Sequence, residues 1–159
     1  MNQIQRKSVY LFESERRSFM DLNNRSTKMP LNVSVIDDDK IIRTILERII
    51  KAMAFEDYEL NLEVFEDGLQ FFETRRLEAE GEHLLIIDGV MPIMDGMEVL
   101  QKVKKVGVWG NIHVLMLTGR KNKLDIERAL KHGADDYMTK PFSIKELQAR
   151  IERLIKRTK

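Results

Sequence analysis

No cysteine occurs anywhere in the 159 residues. That absence excludes a disulfide scaffold, a thiolate zinc site and a thiol nucleophile, and it suits a reducing compartment such as the cytoplasm. Long apolar runs are missing as well. None approaches the roughly 20 residues that a membrane span needs, and the best run near the N-terminus covers only residues 9–12, too few for the core of a secretion signal. Nor is there an excess of one charge: 27 Lys plus Arg stand against 26 Asp plus Glu. A net charge of +1 argues against a protein that coats nucleic acid or an acidic membrane. Internal repeats and low-complexity stretches are absent too. What is present is a 43% apolar chain, enough for one globular domain that buries about two-thirds of its unfolded surface.

The charge is unevenly placed. Residues 1–30 hold six basic and three acidic side chains, and residues 150–159 hold five and one. The stretch between them is acidic, with 16 basic side chains against 22 acidic ones. This predicts an N-terminal extension over residues 1–30, helical or irregular, followed by a domain over residues 31–159.

Within that domain, short apolar runs alternate with helical stripes. Val33, Val35 and Ile36 lead into Asp37, Asp38 and Asp39, and Ile41, Ile42, Ile45, Leu46, Ile49 and Ile50 then recur at helix spacing. Residues 60–65 read as a second strand, with a helix through Leu69, Phe72 and Leu77 that the charged residues 75–82 extend. A third apolar run, residues 84–87, ends at Asp88, and a helix over 95–106 follows. Residues 112–117 end at Thr118, and a helix over 121–131 stops at Gly133. A short strand over 136–139 precedes Lys140 and Pro141, and residues 144–155 form the last helix. Five strand–helix pairs with apolar strands predict an α/β fold: a doubly wound, five-stranded parallel sheet covered on both faces. The crevice of such a sheet lies at the carboxyl ends of its strands. There the chain sets Asp37, Asp38, Asp88, Thr118 and Lys140.

Unit charges 4 Å apart repel by about 4 kcal/mol at an effective dielectric near 20, so three carboxylates in one cleft call for a cation. Hard oxygen ligands without His or Cys point to Mg²⁺, with Mn²⁺ as the alternative. A cleft holding that ion, a lysine and a hydroxyl suits a phosphoryl group, and a carboxylate in line with phosphorus can act as nucleophile. Each residue also has a plainer reading. Asp38 and Asp39 serve equally as helix caps, Asp88 as a turn residue, Thr118 as a cap for the following helix, Lys140 as a surface charge and Tyr137 as an edge-strand aromatic. Only their joint placement at four strand ends separates the two readings.

Four motifs settle the comparison: Val35-Ile36-Asp37-Asp38-Asp39; Ile86-Ile87-Asp88-Gly89-Val90-Met91-Pro92 with Met94-Asp95-Gly96; Leu115-Met116-Leu117-Thr118-Gly119; and residues 133–142, ending Thr139-Lys140-Pro141-Phe142. In this order and spacing the chain, over roughly residues 31–156, resembles the receiver domain of two-component response regulators. The resemblance implies a flavodoxin-like sheet of strand order 2-1-3-4-5. It implies Asp88 as phospho-acceptor, and Asp37, Asp38, Asp88 and the Val90 backbone carbonyl as ligands of Mg²⁺. Thr118 is the switch hydroxyl, Lys140 the phosphate-contacting lysine and Tyr137 the switch aromatic, with Gly89 and Gly119 beside the phosphate. A cis bond before Pro141 is also implied. The implied partners are a histidine kinase or phosphotransfer protein, or a small phosphodonor, and a downstream target or output domain. Neither a nucleic-acid contact nor a membrane contact is expected. A homodimer through the fourth and fifth helices is allowed by Lys131, Asp135, Asp136 and Arg150.

The resemblance also implies two positions that tune how long the adduct lasts, and here they are Val90 and Arg120. Val90 offers no group to orient water, and an arginine at 120 is expected to reach phosphoryl oxygens, so slow dephosphorylation is expected. Outside the resemblance, Leu11, Phe12, Phe19 and Leu22 fall on one helical stripe of the extension, with Arg16 and Arg17 on another face. Two other functions compete. One is a haloacid-dehalogenase-like phosphatase that uses Asp37 as nucleophile; the other is a protein-interaction module of the same fold that is never phosphorylated.

Overall fold

The computed structural model describes residues 28–106, 111–119 and 121–156. The stripe of the extension, and Trp109 and Arg120, lie outside the described residues.

Five strands form one sheet: β1 (Met29–Ile36), β2 (Tyr58–Phe65), β3 (Glu82–Ile87), β4 (Ile112–Thr118) and β5 (Asp136–Thr139). Between them run α1 (Lys40–Ala52), α2 (Gly68–Glu73), α3 (Gly96–Val106) and α4 (Lys123–Lys131), and α5 (Ile144–Lys156) closes the domain. The order across the sheet is β2-β1-β3-β4-β5 and every pairing is parallel. This is the flavodoxin-like arrangement expected from the sequence. β1 starts at Met29, earlier than its apolar run, because Met29 and Pro30 pair with Tyr58 and Glu59 on the edge strand.

Because successive strand residues point to opposite faces, β1, β3 and β4 supply two cores. Leu31, Val33, Val35, Leu84, Ile86, Leu115 and Leu117 meet α1 and α5 through Leu46, Ile50, Leu147, Ile151 and Leu154. The alternate positions Ile36, Leu85, Ile87, Val114 and Met116 meet α2, α3 and α4 through Phe71, Val99, Leu100, Val103 and Ala129. Burying each such side chain contributes about 1.5–3 kcal/mol. The isoleucine stripe of α1 is wider than its contact with the sheet, so Ile41 and Ile45, on its flank, remain exposed.

One expected element is different. Residues 75–82 do not extend α2, which ends after six residues at Glu73. Arg75 takes a left-handed backbone (φ 53°), and a single 3₁₀ turn, Arg76–Glu78, follows. Arg76 explains the break. Its guanidinium is buried under the sheet, donating to Ser34 Oγ at 2.9 Å, to the Val33 carbonyl at 3.1 Å and to Glu63 Oε1 at 2.7 Å, with the Asn61 carbonyl as a fourth acceptor. A continued helix would carry that side chain past its acceptors. Burial lowers the Arg76 pKa, and the Glu63 carboxylate works in the opposite direction.

Candidate functional site

The crevice lies at the carboxyl ends of β1, β3, β4 and β5, and local structure sets each side chain in it. At the end of β1, Asp37 donates its N–H to the Phe65 carbonyl and points its carboxylate into the fold, where it is 2% exposed. The acid run then divides its labour. Asp39 caps α1, accepting from the N–H groups of Ile41 and Ile42, whereas Asp38 turns to the cleft. Carboxylate oxygens of Asp37, Asp38 and Asp88 lie within 4.8 Å of one another. The cap reading of the sequence therefore holds for Asp39, and Asp38 belongs with the cleft.

Asp88 follows β3, tied by its N–H to the Ile36 carbonyl at 2.9 Å. It is 7% exposed. Its pKa is raised, first by burial and then by the charge of Asp37; Lys140, the Val90 N–H and the Thr118 hydroxyl oppose the rise. The loop after it is held shut by a bond from the Gly96 N–H to the Gly89 carbonyl at 3.1 Å. Gly96 has to lack a side chain: a Cβ there would come within 2.2 Å of the Asp88 carbonyl oxygen. A Cβ on Gly89 would press the Thr118 hydroxyl at 2.9 Å, while a Cβ on Gly119 would meet no described atom beyond its chain neighbours within 4 Å.

Thr118 ends β4 fully buried. The cap of the following helix is Asn122, whose side chain accepts from the Leu124 N–H, so Thr118 is released from capping. Lys140 follows β5, its N–H bonded to the Thr118 carbonyl at 2.9 Å, and its bond to Pro141 is cis, as the resemblance implied. Its ammonium stands 2.6 Å from Asp37 Oδ2 and 3.7 Å from Asp88 Oδ1. Tyr137, half-buried on β5, borders a cavity of about 220 Å³ shared with Gly89, Met116, Arg128 and Ala129.

The donor set fits a hard divalent cation. Three carboxylates meet one lysine here, an excess of negative charge that burial makes costly to leave uncompensated. The structure also adds a residue that the sequence reading passed over. Arg43, one turn into α1, donates to the Asp37 carbonyl at 2.7 Å and reaches Glu66 at 3.8 Å, bracing the turn that carries Asp37 and Asp38. Its position five residues past the second acid was the only signal. At the other end of β5, its N-terminal start, Asp136 is claimed inside the chain, 2.6 Å from both Arg150 and Arg153, and Asp135 accepts from the Val114 N–H. These charges are closed within one molecule.

Comparison with known proteins agrees with this geometry. The family model of the response regulator receiver domain matches residues 33–152. Response regulator MprA of Mycobacterium ulcerans (strain Agy99) is 34% identical over 131 residues, covering 82% of this chain and 53% of that protein. MprA of Mycobacterium tuberculosis (strain ATCC 25177 / H37Ra) is 33% identical with the same coverage. The chain thus spans about half the length of these relatives. Among solved structures, the receiver domain of the Francisella response regulator 1452 superposes with a TM-score of 0.66 at 34% identity, over 80% of this chain and 98% of that one. The BeF3-activated receiver domain of DrrB superposes at 0.68 with 25% identity, over 80% and 99%. The chain belongs to the response regulator receiver domain family, the phosphorylation-dependent switch module of two-component signalling.

Proposed function

We propose that Asp88 is the residue at which this receiver is phosphorylated, and that residues 31–159 form the receiver and residues 1–30 an extension of it. The single observation that carries the reading is the meeting of Asp37, Asp38, Asp88 and Lys140 in one cleft. Both oxygens of Asp37 are already engaged, Oδ1 by the Asp39 N–H at 2.9 Å and Oδ2 by Lys140 at 2.6 Å. Asp88 accepts from the Val90 N–H at 3.4 Å and from the Thr118 hydroxyl, and stands 3.7 Å from Lys140. Lys140 thus holds Asp37 more closely than Asp88, which favours Asp88 over the Asp37 chemistry of a haloacid-dehalogenase-like phosphatase.

In the transfer, an Asp88 oxygen bonds to phosphorus as the donor's bond to phosphorus breaks. The released electron pair goes to the imidazole nitrogen of a kinase or phosphotransfer histidine, or to the acetate oxygen of acetyl phosphate. Asp37, Asp38 and Asp88, with the Val90 carbonyl, would hold Mg²⁺ (or Mn²⁺), which neutralises charge at the phosphoryl oxygens when bound. Lys140 meets a phosphoryl oxygen as a point charge. The backbone at Gly119 leaves room for the phosphoryl group, and the bare Cα of Gly89 lets the Thr118 hydroxyl sit close beside it. Thr118 donates to another oxygen, and the space beside Tyr137 lets its ring follow, shifting the α4–β5–α5 surface toward the state a target or output domain binds. Hydrolysis of the adduct returns the switch to its start; the domain turns over no separate substrate. A homodimer through α4 and α5 would draw on Lys131, Asp135, Asp136 and Arg150, of which Asp136 and Arg150 also pair within the chain. The setting is the cytoplasm; among the described residues no helix is long and apolar enough to cross a membrane.

The test is mass spectrometry after incubation with acetyl phosphate. The wild-type chain gains one phosphoryl group in Mg²⁺ and none in EDTA, and Asp88→Asn gains none. Labelling that survives Asp88→Asn but disappears with Asp37→Asn would replace this reading by the phosphatase. No labelling, together with no response of Tyr137 resonances to beryllofluoride, would leave an interaction module.

A further inference from the structure

At the opposite edge of the sheet from Asp88, between the α1–β2 turn and the last turn of α5, lies a groove of about 350 Å³. Phe55, Tyr58 and Ile155 line it; among the described residues the carboxylates of Glu56, Asp57 and Glu152 rim it with Lys156, which pairs with Glu152 at 4.0 Å. We infer that this groove is the docking site of residues 1–27 of the same chain, seated through the stripe of Leu11, Phe12, Phe19 and Leu22. The inference is independent of phosphoryl transfer.

Three observations carry it. The first is position: Met29 pairs with Tyr58 at the start of the sheet and its N–H bonds to the Asp57 carbonyl at 3.2 Å. The chain before Lys28 therefore leaves the domain at the rim of the groove. The second is reach. Residues 23–27 separate Leu22 from Lys28, and five extended residues span about 17 Å. So short a tether holds the stripe at about millimolar effective concentration, and an intrinsic dissociation constant of about 0.1 mM is enough to keep the groove about nine-tenths occupied. The third is chemistry: residues 1–27 carry five basic and three acidic side chains, opposite in sign to the rim, and their apolar stripe matches the apolar floor.

The absence of cysteine makes the test clean, since disulfide trapping can be done in the full chain with only the introduced pair. Leu22→Cys with Ala54→Cys, at the exposed end of α1's following turn, should close within one chain. Tether length alone would also allow some closure, so the deciding comparison keeps the tether and removes the stripe. Replacing Leu11, Phe12 and Phe19 by serine should slow trapping about tenfold, and Glu56→Lys with Glu152→Lys should slow it as well. An unchanged rate in the serine variant overturns the proposal. A disulfide formed only between chains overturns it too, making the occupant a second copy. Hydrogen exchange in the cysteine-free chain provides a second measurement: the amides of residues 54–58 should lose protection in the serine variant, while those of β1, β3 and β4 keep theirs.

Discussion

Lys140 Nζ and Asp37 Oδ2 are 2.6 Å apart across a sequence separation of 103 residues, and this pair is the brace of the cleft. One ammonium restrains two buried carboxylates, Asp37 and Asp88. Removing it by Lys140→Met takes from both the one cation that pairs with them among the described residues, so the metal-free domain should lose about 3–5 kcal/mol, the usual result of breaking a buried pair. Urea titrations in EDTA and in Mg²⁺ check this, because added Mg²⁺ should recover much of the loss. Asp88→Asn should act in the opposite direction. The Asp88 charge is disfavoured by burial and by Asp37, so its removal raises the urea midpoint in EDTA.

Val90 stands two residues past Asp88, half exposed, with an apolar side chain that cannot orient an attacking water. The phosphoryl adduct should therefore persist for minutes or more in Mg²⁺ buffer, and Val90→Glu should shorten its lifetime roughly tenfold, below the 10²–10⁴ that a well-positioned acid or base supplies. The decay of phosphorylated chain after removal of acetyl phosphate measures both. Loss within seconds in the wild type would contradict the expectation.

Arg76 should be among the costly positions remote from the cleft. Arg76→Met leaves Ser34, the Val33 carbonyl and the Asn61 carbonyl without their donor. The buried acceptors of Ser34 and Val33 each cost about 1–3 kcal/mol when stranded, and water relieves the Asn61 carbonyl on the exposed edge strand, so a total loss of about 2–4 kcal/mol in urea unfolding is expected. Labelling of Asp88 in the fraction that remains folded should be unchanged.

His83 sets a pH dependence. It is buried on β3 with Nε2 2.9 Å from the Ala79 carbonyl, and its pKa is lowered from 6.5, chiefly by burial. Below that unfolded value the unfolded chain takes up a proton that the folded chain refuses. Stability should therefore fall as the pH drops from about 6.5 toward the lowered folded value, with a limiting slope of about 1.4 kcal/mol per pH unit. Replacing His83 by Gln should flatten urea-midpoint profiles between pH 7 and 5; an unchanged slope would place the acid sensitivity elsewhere.

The order of elements, the two-faced sheet and the acids at its carboxyl edge were all determined by local pattern. Period 2 and period 3.6 are properties of neighbouring residues, and right-handed crossovers leave few ways to join five such units. The division of labour among adjacent acids was not local. Asp38 and Asp39 are the same residue type one position apart, and only the backbone path after Asp37 sends one to the cleft and the other to the helix end. Arg76 shows the same limit. Its stretch is charged and helix-compatible, yet acceptors on β1 and β2, contributed by Ser34, Val33, Asn61 and Glu63, break the helix to bury it. The sequence likewise offered Asp136 and Arg150 as complementary charges, and only the fold set them 2.6 Å apart within one chain. Periodicity is written along the chain, whereas the partner of a buried charge is chosen by whatever distant group folding brings within about 3 Å of it.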